Sequence, residues 1–170
     1  MGKFLVIGLI GVLLGIAIED IKYRSVRWWL FALIGFGFIG VEYTRFSIVD
    51  TGLNIGFVSV QVLLLFTYFS IKEKRVVNIT TNYLGMGDIV FWLAACFLFS
   101  LPNYIVFFIS SLMFAALVYG IMKLSNMHKQ TTIPLAGLQS IVVGMMLLLN
   151  LISKDWSFRD SAWIEKLVIV

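Results

Sequence analysis

Two carboxylates in this chain stand where carboxylates are costly. Asp88 follows Gly85-Met86-Gly87 and opens the apolar stretch 89–101, and Asp20 closes the apolar run that begins at Phe4. With a span beginning near Tyr83, Asp88 lies more than one helical turn inside a bilayer. A carboxylate there costs ~2.5–3.5 kcal/mol on insertion scales, so an intramembrane acid is a functional candidate by default. Two carboxylates brought close together do not both ionise cheaply, and the pair shares a proton. The ionised member takes a proton from water, and the neutral member protonates or polarises a carbonyl. That is aspartic-protease chemistry, and it needs no metal and no cofactor. Gly85 and Gly87 fit it as residues that let the backbone leave the helix and let a peptide come near. Irregular backbone at this depth is tolerated where it lines a wet cavity. The same residues also admit a plainer reading. Asp20 ends a helix at the interface beside Lys22 and Arg24, and Asp88 caps the N-terminus of the next span.

The elements that must position these groups follow from composition. Of 170 residues, 61% are apolar and 13% charged, with two prolines and a mean hydropathy of +1.00. A soluble domain is nearer ~45–50% apolar and ~25% charged, and disordered or collagen-like chains are far more polar. The charge-free runs are 4–18, 28–41, 51–71, 89–122 and 130–153. The fourth is too long for one span and contains Leu101-Pro102-Asn103, a turn signal that splits it. The expectation is an all-α membrane protein, a bundle of six short transmembrane helices over residues 1–152. Residues 153–170 follow as a tail. In that tail Phe158, Trp163, Ile164, Leu167 and Val168 alternate with Arg159, Asp160, Glu165 and Lys166. This reads as an amphipathic segment lying on the outer membrane surface. The first run is read as a span and not as a cleaved signal peptide, because Glu19-Asp20-Ile21-Lys22 follows it where small residues would be needed.

Orientation comes from the basic residues. Eight of them occupy the first, third and fifth loops: Lys22, Arg24, Arg27, Lys72, Lys74, Arg75, Lys123 and Lys129. Five lie on the other side, diluted by acids: Lys3, Arg45, Lys154, Arg159 and Lys166. The odd loops therefore face the cytoplasm and both termini face outward. Asp20 is then at the inner end of span one and Asp88 near the inner start of span four, at similar depth. The other seven acidic residues fall in loops, at span ends or in the tail.

Other features carry less. Cys96 sits in a Leu/Phe-rich run and reads as a small apolar residue. A single cysteine gives neither a disulfide framework nor a cysteine-based zinc site. His128, among Lys123, Asn126 and Lys129, reads as a solvated loop residue. The net charge of +4 is explained by basic inner loops without invoking nucleic acid. Gly35-Phe36-Gly37-Phe38-Ile39-Gly40 matches a dinucleotide-binding pattern, but inside an apolar span its glycines serve close helix packing. Gly11 and Gly15 have the spacing of a packing face, and Trp28-Trp29 reads as an interfacial anchor. Asn78-Ile79-Thr80 matches a glycosylation sequon on what the topology makes the cytoplasmic side.

Three motifs together resemble the type IV prepilin peptidases, a family of GxGD intramembrane aspartyl proteases. Gly85-Met86-Gly87-Asp88 matches the GxGD motif. Asp20-Ile21-Lys22-Tyr23-Arg24-Ser25-Val26 resembles the signature that follows the first catalytic aspartate. Ile133-Pro134-Leu135-Ala136 resembles the IP motif at the start of the last span. The resemblance covers residues 1–152. It implies catalytic Asp20 and Asp88, supported by Gly85, Gly87, Lys22, Arg24 and Pro134, with no cofactor and no metal. The implied substrate is a pilin-like precursor, a basic leader joined to an apolar helix, cut at the cytoplasmic face of a bacterial or archaeal inner membrane. The chain resembles the short members that lack a zinc-binding, methyl-transferring N-terminal region. It departs from the family pattern at Arg27-Trp28, where Pro-Asn is usual, at Val90, where lysine is frequent, and at Gly137-Leu138, where a second proline is usual. Two other classes compete: a non-enzymatic membrane subunit or small transporter using paired aspartates, and a lipoprotein signal peptidase, whose acids would face outward.

Overall fold

The computed structural model describes residues 3–124, 134–152 and 157–161, and all regular structure among them is helical. Six apolar helices follow the charge-free runs: α1 (Lys3–Tyr23), α2 (Trp28–Val41), α3 (Ile48–Glu73), α5 (Met86–Ala95), α6 (Leu101–Leu124) and α7 (Leu135–Ile152). One more, the four-residue α4 (Ile79–Asn82), was not anticipated. It begins at Asn78, whose side chain accepts from the Thr80 amide, so the sequon triplet serves as a helix cap. Helices α1, α3, α6 and α7 are long and apolar enough to cross a membrane, whereas α2 and α5 have 14 and 10 residues. Ten residues cover only ~15 Å, half of a hydrocarbon core.

Span four therefore differs from the expectation at both ends. It starts at Met86 and not near Tyr83, which puts Asp88 in its first turn. It stops at Ala95, well before Pro102. The last carbonyls of α5 accept from the Cys96, Phe97 and Leu98 amides, and side chains from other elements add donors here and in the turn that follows, where water is excluded. Asn54 of α3, fully buried, donates to the Cys96 and Phe99 carbonyls at 3.2 and 2.9 Å. Tyr104 of α6 donates to the Trp92 carbonyl at 3.0 Å. Pro102 makes no turn of its own. It occupies the first turn of α6, where a missing amide hydrogen costs nothing.

Helix α1 lies along α7 and α2, α2 reaches α5, and α6 covers α7 and α3. The shared core includes Ile16, Ile34, Phe38, Phe91, Phe99 and Leu147. The α1–α2 crossing is close because of glycine: a Cβ on Gly37 would stand 2.2 Å from Leu9 Cδ2, and one on Gly40 3.2 Å from Leu5 Cδ1. Gly11 and Gly15 have no heavy atom within 4 Å of the Cβ position among the described residues, so the packing they would serve is not with those residues.

The described part of the tail is not a surface segment. Phe158 and the Arg159 side chain are buried, and residues 157–160 are inserted at the end of the bundle away from Asp20 and Asp88. Glu42, at the end of α2, accepts from Ser157 Oγ at 2.9 Å and from the Phe158 amide at 3.2 Å. Arg159 donates to the Phe97 carbonyl at 2.9 Å and pairs with Asp50 at 3.4 Å. Asn103 donates to the Phe158 and Asp160 carbonyls. Of the described tail residues, Phe158 thus joins the core and Arg159 the clamp on α3 and the end of α5. Trp163, Ile164, Glu165, Lys166, Leu167 and Val168 lie outside the described residues, as do His128, Lys129, Ile133 and Lys154.

Candidate functional site: two carboxylates at the start of α7

Helix α7 follows Pro134, whose fixed ring disfavours helix in the residue before it. The buried Pro134 contributes its carbonyl, which accepts from the Leu138 amide at 3.1 Å. It has no side chain with which to cap the first-turn amides, and a helix start leaves four such donors. Two of them are taken by the two aspartates. The Ala136 amide donates to Asp88 Oδ1 at 2.7 Å, and the Gly137 amide donates to Asp20 Oδ2 at 2.6 Å. Consecutive amides are less than one Cα–Cα step apart, so these two oxygens lie within about 9 Å of each other. The three helix ends concerned belong to distant parts of the chain and meet at one end of the bundle.

Asp88 is buried and Asp20 is half-buried. Both of Asp88's oxygens are engaged, since Oδ2 also accepts from the Gly85 amide at 3.1 Å. This is the self-capping arrangement of the plainer reading, here combined with the bond to α7. The glycines act differently from the expectation. Gly85 has φ −63° and ψ 141°, an ordinary extended conformation, and no described glycine has positive φ. The constraint at Gly85 is space: a Cβ there would stand 3.0 Å from Asp88 Oδ2. Gly87 is looser, its nearest neighbour being the Phe31 ring at 3.6 Å.

The supporting residues divide. Arg24, one turn after Asp20, ends α1 in the left-handed region at φ 55°, with its amide on the Asp20 carbonyl at 3.1 Å. Its charge lies within electrostatic range of both carboxylates. Lys22 points away, exposed, over the Tyr23 ring at 5.1 Å. Arg27 uses an amide that a proline would lack: its N–H donates to Glu19 Oε2 at 3.0 Å, and its guanidinium pairs with the same carboxylate. Gly137, at the third departure, is where α7 meets Asp20. A Cβ there would stand 3.1 Å from Asp20 Cβ and Oδ2 and 3.3 Å from the Ala17 carbonyl.

On the Asp88 side of the site opens a cavity of about 330 Å³, whose walls include Leu84, Trp92, Leu135, Phe69, Tyr83 and Phe108 and neither aspartate. Leu84 and Leu135 directly precede Gly85 and Ala136, so the cavity adjoins both strands of chain that hold Asp88. Tyr83 is fixed at its wall, stacked on Phe69 at 3.8 Å and donating to Glu73 Oε1 at 3.0 Å. That bond, lost on ionisation, holds the Tyr83 hydroxyl above its ordinary range. Beneath the pair, Trp92 Nε1 donates to Gln139 Oε1 at 2.8 Å, and Gln139 Nε2 donates to Ser111 Oγ at 3.0 Å. The sequence reading missed this chain and the Ala136 and Gly137 amides. The available signal was three polar side chains inside otherwise apolar runs. Among the described residues, no cluster of three or more His, Cys, Asp or Glu side chains is placed to hold a metal ion.

Comparison with protein-family models, curated proteins and solved structures finds no match for this chain.

Proposed function

We propose that this protein is a multi-pass membrane aspartic endopeptidase with Asp20 and Asp88 as its catalytic pair. The observation that carries the reading is the convergence of these two carboxylates on consecutive amides of α7. In the proposed reaction one carboxylate, ionised, takes a proton from a water between the pair. The other, protonated, polarises the scissile carbonyl and then protonates the leaving amine. The bond broken is a peptide C–N and the bond made is C–O from water; the pair is left with its one proton on the carboxylate that took it from water, and transfer of that proton across the pair restores the starting state. The N-terminal dipole of α7 faces the carboxylates and stabilises negative charge on them. The neighbouring apolar cavity gives the substrate's apolar side chains a place next to the scissile bond.

The substrate we propose is a pilin-like precursor with a basic leader and an apolar helix, cut at the cytoplasmic face of a bacterial or archaeal membrane. In this reading α1, α3, α6 and α7 span the bilayer and the end carrying Asp20 and Asp88 faces inward. Lys22, Arg27, Lys72, Lys74 and Arg75 cluster at that end in the sequence order the positive-inside rule requires. The test is incubation of the detergent-solubilised protein with a precursor of this kind. A shortened product whose new N-terminus lies at the leader–helix boundary is expected. Intact precursor after incubation with folded protein would favour the non-enzymatic membrane subunit.

A further inference from the structure

Helix α7 is held against α5 by two rungs one turn apart. Asp88 and Trp92 are four residues apart on α5 and share a face, as do Ala136 and Gln139, three apart on α7. The outer rung is the Ala136 amide on Asp88 Oδ1 at 2.7 Å. The inner rung is Trp92 Nε1 on Gln139 Oε1 at 2.8 Å. Gln139 then donates to Ser111 Oγ at 3.0 Å, and Ser111 Oγ donates to the Phe108 carbonyl of α6 at 3.1 Å. All three side chains are buried. The donors run in one direction, from α5 through α7 to the backbone of α6.

A Leu or Met at position 139 would fill this place without a polar atom, and a buried amide is costly unless it is fully bonded. What the amide adds is direction. It fixes the rotation of α7 about its own axis and its height against two neighbouring helices. That rotation decides where the Ala136 and Gly137 amides point, and hence where Asp88 and Asp20 sit. We propose that Gln139 is a positioning residue. By joining Trp92 to Ser111 it holds the start of α7 in the register that brings the two carboxylates together. This inference rests on the endopeptidase reading for its catalytic consequence, and on the hydrogen bonds alone for its structural one.

The test uses the full chain and two variants that break the inner rung from opposite sides, Gln139→Met and Trp92→Phe. Each is read by precursor cleavage and by site-resolved amide hydrogen exchange along α7. Misplacing reacting groups by about 1 Å costs about 100-fold in rate. The expected result is a kcat lowered about 10-fold or more in both variants, with KM within about twofold for Gln139→Met, whose side chain does not line the cavity. Exchange at Ala136 and Gly137 should be faster while Val143 and Leu147 stay protected. The double variant should be little worse than either single one, as for groups that act as a unit. Wild-type kcat together with wild-type exchange at Ala136 and Gly137 in either variant would overturn the proposal. So would a uniform rise in exchange over the whole of α7, which marks a packing role only. If wild-type protein cleaves nothing while the local exchange pattern appears as expected, the positioning role stands and the endopeptidase reading fails. If Gln139→Met does not fold, Trp92→Phe carries the same readouts.

Discussion

Gly137 has no side chain at the one point of α7 that Asp20 needs, with Asp20 Oδ2 accepting its amide hydrogen at 2.6 Å and Ala17 O closing the other side. A proline at this position could not donate that bond. Gly137→Ala tests the contact. A Cβ 3.1 Å from Asp20 Cβ and 3.3 Å from a backbone carbonyl leaves α1 or α7 to move by a few tenths of an ångström. We expect a stability cost of about 1–3 kcal/mol, the range for overpacking. Cleavage should fall further than that loss of folded protein explains, measured as kcat per folded molecule.

The two aspartates are not equivalent as structural groups, which separates Asp20→Asn from Asp88→Asn in stability. Asp88 uses both oxygens, on the Gly85 and Ala136 amides. An asparagine there has one oxygen and must turn its NH₂ toward an amide hydrogen. Leaving such a buried donor unsatisfied costs about 1–3 kcal/mol. Among the described residues Asp20 accepts only the Gly137 amide, through Oδ2, so Asp20→Asn can keep that bond with its remaining oxygen. Denaturation in detergent should show Asp88→Asn lowered by that amount and Asp20→Asn near wild type. Equal losses would contradict the bonding pattern.

The early stop of α5 makes Asn54 a large structural contributor. Asn54→Leu has similar volume but leaves the Cys96 and Phe99 carbonyls without their donor in a buried place. At about 1–3 kcal/mol for each unsatisfied group, the variant should be among the most destabilised single changes in the chain. A thermal midpoint close to wild type would mean that water reaches these carbonyls.

The tail makes a different prediction from the one its composition implied. Removing everything after Ile152 takes away both donors on the buried Glu42 and the guanidinium on the Phe97 carbonyl and Asp50. Arg159→Met isolates the second part. Hydrogen bonds to charged groups contribute about 1.5–3 kcal/mol each, and Asp50 is partly exposed, so the ion pair adds little beyond that. Both variants should unfold earlier than wild type, the truncation more so. A truncated chain as stable as the full one would return the tail to the surface role.

Six apolar helices were legible because charge-free runs report directly on what a bilayer or a dry core tolerates. Run 28–41 coincides with α2, and the run ending at Ile18 underestimates α1 only by its polar last turn. Charge alone could not show where α5 ends, since that depends on Asn54, Tyr104 and Arg159, all distant in sequence. Splitting the long run near Leu101-Pro102-Asn103 gave the right two helices but put the break a few residues late, because proline is as compatible with a first helical turn as with a break. Asp20 and Asp88 stood out because isolated acids at apolar ends are expensive. Their common anchor did not, because it consists of backbone amides, which carry no sequence signature. Glu42 and Asp50 looked like span-end acids because their partners, Ser157 and Arg159, lie more than 100 residues away in the chain.

The central claim is that Asp20 and Asp88 act together in peptide hydrolysis, and the most direct measurement is cleavage of a co-expressed basic-leader precursor. It is followed as a shift in gel mobility for wild type, Asp20→Asn, Asp88→Asn and the double variant, with membrane levels of each enzyme quantified alongside. Cleavage by wild type, collapse in both single variants at normal membrane level, and a double variant little worse than either are the results predicted for a shared-proton pair. Near-wild-type cleavage by either single variant would contradict it, and the carboxylates would then be caps on α7 and nothing more.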